Sequence, residues 1–90
     1  MPHFTSWTND YTNAGVIKSF HLSWNYNKQK HKPIHIHYTV SGTGKVKWKS
    51  TDCNRTGGDA DNAKAQVNNN AADLDALAQA LIDGIFSVNG

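Results

Sequence analysis

The sequence predicts an α+β fold: an antiparallel β-meander of three or four strands with a long C-terminal α-helix packed on one face. Three observations carry this. Between residues 16 and 50 apolar and polar side chains alternate with period two, the signature of half-buried strands. From about residue 59 the apolar residues recur instead at three- and four-residue steps, the signature of a helix. The chain has 90 residues, nine of them alanine, which leaves large side chains for one core and no more, so residues 1–90 are read as a single domain.

Residues 1–15 are read as an N-terminal arm or edge strand. Phe4, Trp7, Tyr11 and Ala14 have helical spacing, but the Thr, Ser and Asn between them favour extended backbone; Phe4 and Trp7 are expected to cover one end of the core. The first full strand places Val16, Phe20, Leu22, Trp24 and Tyr26 on even positions and Ser19, His21, Ser23 and Asn25 on odd ones. After a basic loop, the second strand carries Ile34, Ile36, Tyr38 and Val40 on one side and His35, His37, Thr39 and Ser41 on the other. Gly42-Thr43-Gly44 suits a three-residue hairpin with its last glycine left-handed. The third strand sets Val46 and Trp48 against Lys45, Lys47 and Lys49. Centring the hairpins on Lys30 and Thr43 pairs Tyr26 with Ile34, Phe20 with Val40, Thr39 with Lys47 and His37 with Lys49. Trp24 and Trp48 then belong to the core. Residues 51–58, with Gly57-Gly58, read as a surface loop. Residues 59–86 read as a helix with Asp59 or Asp61 as N-cap, continuous or bent at Asn68-Asn69-Asn70, the alternative being a weak first segment and a strong one at about 71–86 capped by Asn70; Asp73, Asp75 and Asp83 fall on its solvated side.

Charge is distributed unevenly along the chain. Residues 18–55 hold seven lysines and Arg55 against Asp52, whereas residues 56–90 hold Lys64 against five aspartates. Such a basic pole attracts nucleic acid or acidic proteins. The composition excludes a coiled coil, a charge-rich disordered tail and a membrane span, and the N-terminus lacks the pattern of a signal peptide, so a soluble, cytoplasmic protein without membrane attachment is expected. The lone Cys53 excludes an internal disulfide. GTGK lacks the upstream glycine and strand-to-helix setting of a phosphate loop.

Parity brings the histidines and the third-strand lysines to one side of the sheet, opposite the helix. The expected binding residues are His21, His35, His37, Lys45, Lys47 and Lys49 on that side, with Lys28, Lys30, His31 and Lys32 in the adjoining loop. They predict a non-enzymatic binding module or inhibitor without a cofactor, engaging a polyanionic partner: nucleic acid, or the acidic groove of a larger protein. Self-association through open strand edges is a further expectation. A metal-independent ribonuclease is the alternative, with His21 and His37 as base and acid and Lys49 stabilising the phosphorane. His35 and His37 leave the same side of one strand in the manner of a His-X-His metal pair, but no carboxylate is placed beside them and the flanking lysines oppose a cation, so no metal is expected. Three strands followed by a helix resemble, in topology only, sheet-reading DNA-binding domains. Asp59 and Asp61 stand where a double-stranded RNA-binding domain has lysines, so no site is carried over.

Overall fold

The computed structural model describes residues 4–26 and 31–89. The order is β1 (Phe4–Asn13), β2 (Val16–Trp24), β3 (Ile34–Val40), β4 (Val46–Cys53), α1 (Gly57–Asn69) and α2 (Ala71–Asn89). The strands form one antiparallel sheet in the order β1-β2-β3-β4, so the arm is a full edge strand and the meander has four strands. Among the described residues no helix is long and apolar enough to cross a membrane.

Ala14 and Gly15 join β1 to β2 with φ of 53° and 80°, the two positive values of a turn whose twist matches the strands it links. The β3–β4 hairpin has the expected three-residue turn: Gly44 donates to the Ser41 carbonyl at 3.0 Å, Ser41 N–H donates to the Lys45 carbonyl at 2.9 Å, and Gly44 takes φ 82°.

The β2–β3 register differs from the expected one by two residues. Phe20 pairs with Tyr38 and Trp24 with Ile34, rather than Phe20 with Val40 and Tyr26 with Ile34. An even slip leaves the paired residues of β2 and β3 on their expected sides. At the start of β2 the expectation fails: past the register shift against β1, which leaves Lys18 unpaired there, Ile17 packs against the core and Val16 is 37% exposed. Tyr26 is lost from the ladder because it turns away after Trp24, its ring 5.4 Å from that of Trp24 and its carbonyl accepting a hydrogen bond from Arg55 at 2.9 Å. Lys28 and Lys30, and the turn centred on Lys30, lie outside the described residues.

In β4 the expected register holds only as far as Trp48. Thr39 pairs with Lys47 and Tyr38 with Trp48, but His37 pairs with Ser50, not with Lys49. Lys49 is the extra residue of a β-bulge. Past it the parity of β4 reverses: Asp52 stands opposite His35, and Cys53 opposite Ile34.

The connection from sheet to helix is shorter than the expected 51–58, because β4 continues to Cys53. The N-cap is Thr56, not Asp59 or Asp61, and Asp59 instead lies in the first turn of α1. The C-terminal region is two helices and not one. Asn70 has φ −109° and ψ 14°, and its side-chain amide donates to the Gln66 carbonyl at 2.8 Å while its own carbonyl accepts from Leu74 N–H at 2.9 Å. It closes one helix and opens the next, an arrangement that a short side chain able to bond its own backbone allows.

Both helices pack on the even side of the sheet. Ala63, Val67, Leu74, Ala78 and Ile82 are buried against Phe20, Leu22, Trp24, Ile34, Ile36, Tyr38 and Val40. Phe20 and Tyr38 stack at 5.5 Å and Trp7 meets Phe20 edge-on at 6.1 Å, so Trp7 closes one end of the core as expected. The side chain of Phe4 lies outside the description. Trp48 is not a core residue. It is 49% exposed, because the junction of α1 and α2 leaves an open groove of about 190 Å³ over it, between Ile36, Tyr38, Val67 and Leu74. The solvated side of α2 is also not idle. Asp75 accepts a hydrogen bond from the buried Tyr38 hydroxyl at 2.9 Å, and Asp83 accepts one from Gln79 at 2.9 Å. Burial and the Asp75 carboxylate push the Tyr38 phenol well above its usual range.

Candidate functional site

The odd side of the sheet carries no helix packed against it among the described residues. Its centre is built by cross-strand neighbours. His21 of β2 pairs with His37 of β3, and Ser23 pairs with His35. The ring of His21 lies 4.8 Å from that of His35 and 5.0 Å from that of His37, and the His35 and His37 rings are 6.4 Å apart. The three histidines therefore form one cluster, all half-buried.

Two carboxylates join them. Asp10 lies at a register shift in β1, between the pairs Asn9–Phe20 and Tyr11–Ser19, and its side chain reaches the histidines. Its Oδ1 is 2.8 Å from His21 Nδ1 and its Oδ2 is 3.6 Å from His37 Nδ1. On the other flank Asp52 Oδ2 is 2.8 Å from His37 Nε2. His37 is thus bracketed by carboxylates, one at each ring nitrogen.

The acid-free face expected from the sequence is corrected by this geometry. Asp10 was within reach of sequence reasoning. Taking Ala14-Gly15 as a hairpin turn places Thr8 opposite His21, and Asp10, two residues on, leaves the same side. Asp52 was not, because a straight ladder puts it with the core, and nothing in Trp48-Lys49-Ser50 marks the bulge that turns it over. Tyr11 was also missed. It pairs with Ser19, beside Thr39 and Lys47, and is 57% exposed on the polar side.

The expected cations are dispersed rather than gathered around the histidines. Lys45, Lys47 and Lys49 are all exposed along the β4 edge, and Lys47 lies in the row next to that of His37. Lys49 does not stand opposite His37, so the alternative ribonuclease loses the lysine assigned to the phosphorane; Ser50 occupies the place. His31 is exposed and Lys32 half-buried at the end of the loop.

Arg55 does not add to the exposed basic pole. Its side chain is fully buried, donating to the Tyr26 carbonyl at 2.9 Å and to the Lys32 carbonyl at 3.1 and 3.2 Å, with Asp59 at 3.4 Å and the Tyr26 ring 5.4 Å from the guanidinium carbon. It ties the ends of the β2–β3 loop to the start of α1.

Comparison of the chain with protein-family models, curated proteins and solved structures finds no match.

Proposed function

We propose that the uncovered side of the sheet is a non-enzymatic binding surface for nucleic acid, engaged through its phosphates. The observation that carries this reading is the row of exposed Lys45, Lys47 and Lys49 along β4 beside a sheet face that no helix covers. Lysine is a flexible point charge that neutralises phosphate without reading sequence, so the binding is sequence-tolerant. The exposed Tyr11 ring on the same side offers a stacking surface, which favours nucleic acid over an acidic protein groove. Asp10 and Asp52 hold down the charge at the centre, so the phosphates track the β4 edge and not the histidines.

The test is fluorescence anisotropy of labelled RNA and DNA oligonucleotides. Replacing Lys45, Lys47 and Lys49 together by Ala is expected to abolish binding, and His31→Ala to change it little. Failure of the wild-type chain to bind either oligonucleotide at low salt, with capture of an acidic protein instead, overturns the choice of partner.

One observation favours the ribonuclease as a second reading. His21 and His37 each hold a carboxylate at 2.8 Å, an arrangement that orients an imidazole as general base or acid. It requires that the wild-type chain cleave RNA and that His37→Ala abolish cleavage while binding persists.

A further inference from the structure

We propose that Asp10, His21 and His37 form a binding site for one divalent transition-metal ion of the zinc class. Their ligand atoms, one from each of three adjacent strands, all lie within 4.8 Å of one another. Four-coordinate zinc with bonds of about 2.0–2.1 Å needs neighbouring donors roughly 3.3 Å apart. Asp10 Oδ2 lies 3.0 Å from His21 Nδ1 and 3.6 Å from His37 Nδ1, which bracket that value. Rotation of the two imidazoles closes the rest, since the strands that carry them are fixed by the ladder.

The two ring nitrogens of His37 face different carboxylates. Nε2 donates to Asp52 at 2.8 Å, because a carboxylate has no hydrogen to give. Nδ1 faces Asp10 Oδ2 across 3.6 Å, a gap in which an ion coordinated by both atoms fits. His21, which donates Nδ1–H to Asp10 without metal, carries that proton on Nε2 when Nδ1 ligates.

Asp52 then takes the role of the outer carboxylate in a carboxylate–histidine–metal chain, fixing the tautomer and the angle of the His37 ring. Two imidazoles and one carboxylate suit zinc and its neighbours in the first transition row and give little hold to magnesium or calcium, which want oxygen alone. The bulge takes Lys49 out of the place opposite His37, which Ser50 fills, and leaves Lys47 exposed in the neighbouring row. Three protein ligands leave a coordination position open to water or an anionic oxygen on the solvent side. The site stands independently of the nucleic-acid reading, because metal is measured without nucleic acid.

The experiment is calorimetric titration of the whole chain with Zn²⁺ in a non-chelating buffer, with Co²⁺ absorption as a second readout of imidazole ligation and circular dichroism to confirm that each variant is folded. The wild-type chain is expected to bind one Zn²⁺. Asp10→Asn and His37→Ala should each lose saturable binding. Asp52→Asn should weaken it by about 10–100-fold, the usual effect of removing an outer-shell partner, and His31→Ala should leave it unchanged. Zinc that fails to bind the folded wild-type chain, or that binds Asp10→Asn as tightly, overturns the site.

Discussion

Ala14 sits at φ 53°, a left-handed conformation in which its Cβ crowds the following carbonyl, and it does so at the first position of a turn that Asn fills best. Ala14→Asn is therefore expected to stabilise the fold by about 0.5–1 kcal/mol, seen as a higher denaturant midpoint at unchanged slope. Arg55 is the opposite kind of residue, one that no substitution improves. Its guanidinium satisfies two loop carbonyls while wholly buried, so Arg55→Ala leaves Tyr26 and Lys32 carbonyls without their donor and should cost about 2–3 kcal/mol. Chemical denaturation measures this, and an unchanged midpoint would contradict the clamp. The sequence offers no sign of the role, since Arg55 stands in a loop of polar residues and reads there as one more solvated cation. Burial of a charge is visible only when its acceptors, 23 and 29 residues upstream, are seen to converge on it.

At the scale of elements, α2 and the β3–β4 hairpin are joined by one side chain. Gln79 accepts from Val46 N–H at 3.0 Å and donates to the Gly44 carbonyl at 2.8 Å, so a helix residue completes the backbone pairing of a turn. Gln79→Ala removes both partners at once and should cost about 1–3 kcal/mol. The sharper readout is local: hydrogen exchange at the Val46 amide should quicken more than at residues in the middle of β3, and equal quickening throughout would mean a global effect instead. The strands themselves were legible because alternation is a strictly local signal, and the inward side of β3, and of β2 from Phe20 to Trp24, follows from it residue by residue. Register was legible only modulo two. The two-residue slip between β2 and β3 costs nothing in sidedness, whereas the single extra residue at Lys49 inverts the rest of β4 and brings Asp52 to the histidines. The division of the helix at Asn70 was suggested by three consecutive asparagines, but choosing between a bend and a break depends on whether the Asn70 side chain turns back to Gln66, which propensity alone does not decide. The candidate site was half legible for the same reasons. Its imidazoles and Asp10 follow from parity, and Asp52 depends on the bulge at Lys49.

For the whole molecule, the two helices carry five aspartates and one lysine, while the exposed lysines of the hairpin line the β4 edge of the sheet. Long-range attraction to a phosphate backbone depends on this separation, but tight contact depends only on the cations that displace counterions from the nucleic acid. The two contributions respond differently to salt. Each phosphate neutralised at the interface adds about one unit to the slope of log affinity against log salt concentration, and charges remote from the interface add almost nothing. Replacing Lys45, Lys47 and Lys49 by Ala should therefore flatten that slope by about 2–3 units as well as weaken binding. Neutralising the exposed helix residues Asp61 and Asp73 to Asn should raise the association rate at low salt and leave the slope where it was. Anisotropy titrations across a salt series, with stopped-flow association rates at the lowest salt, separate the outcomes. A slope that falls with the aspartates, or stays steep without the lysines, would move the interface away from the β4 edge.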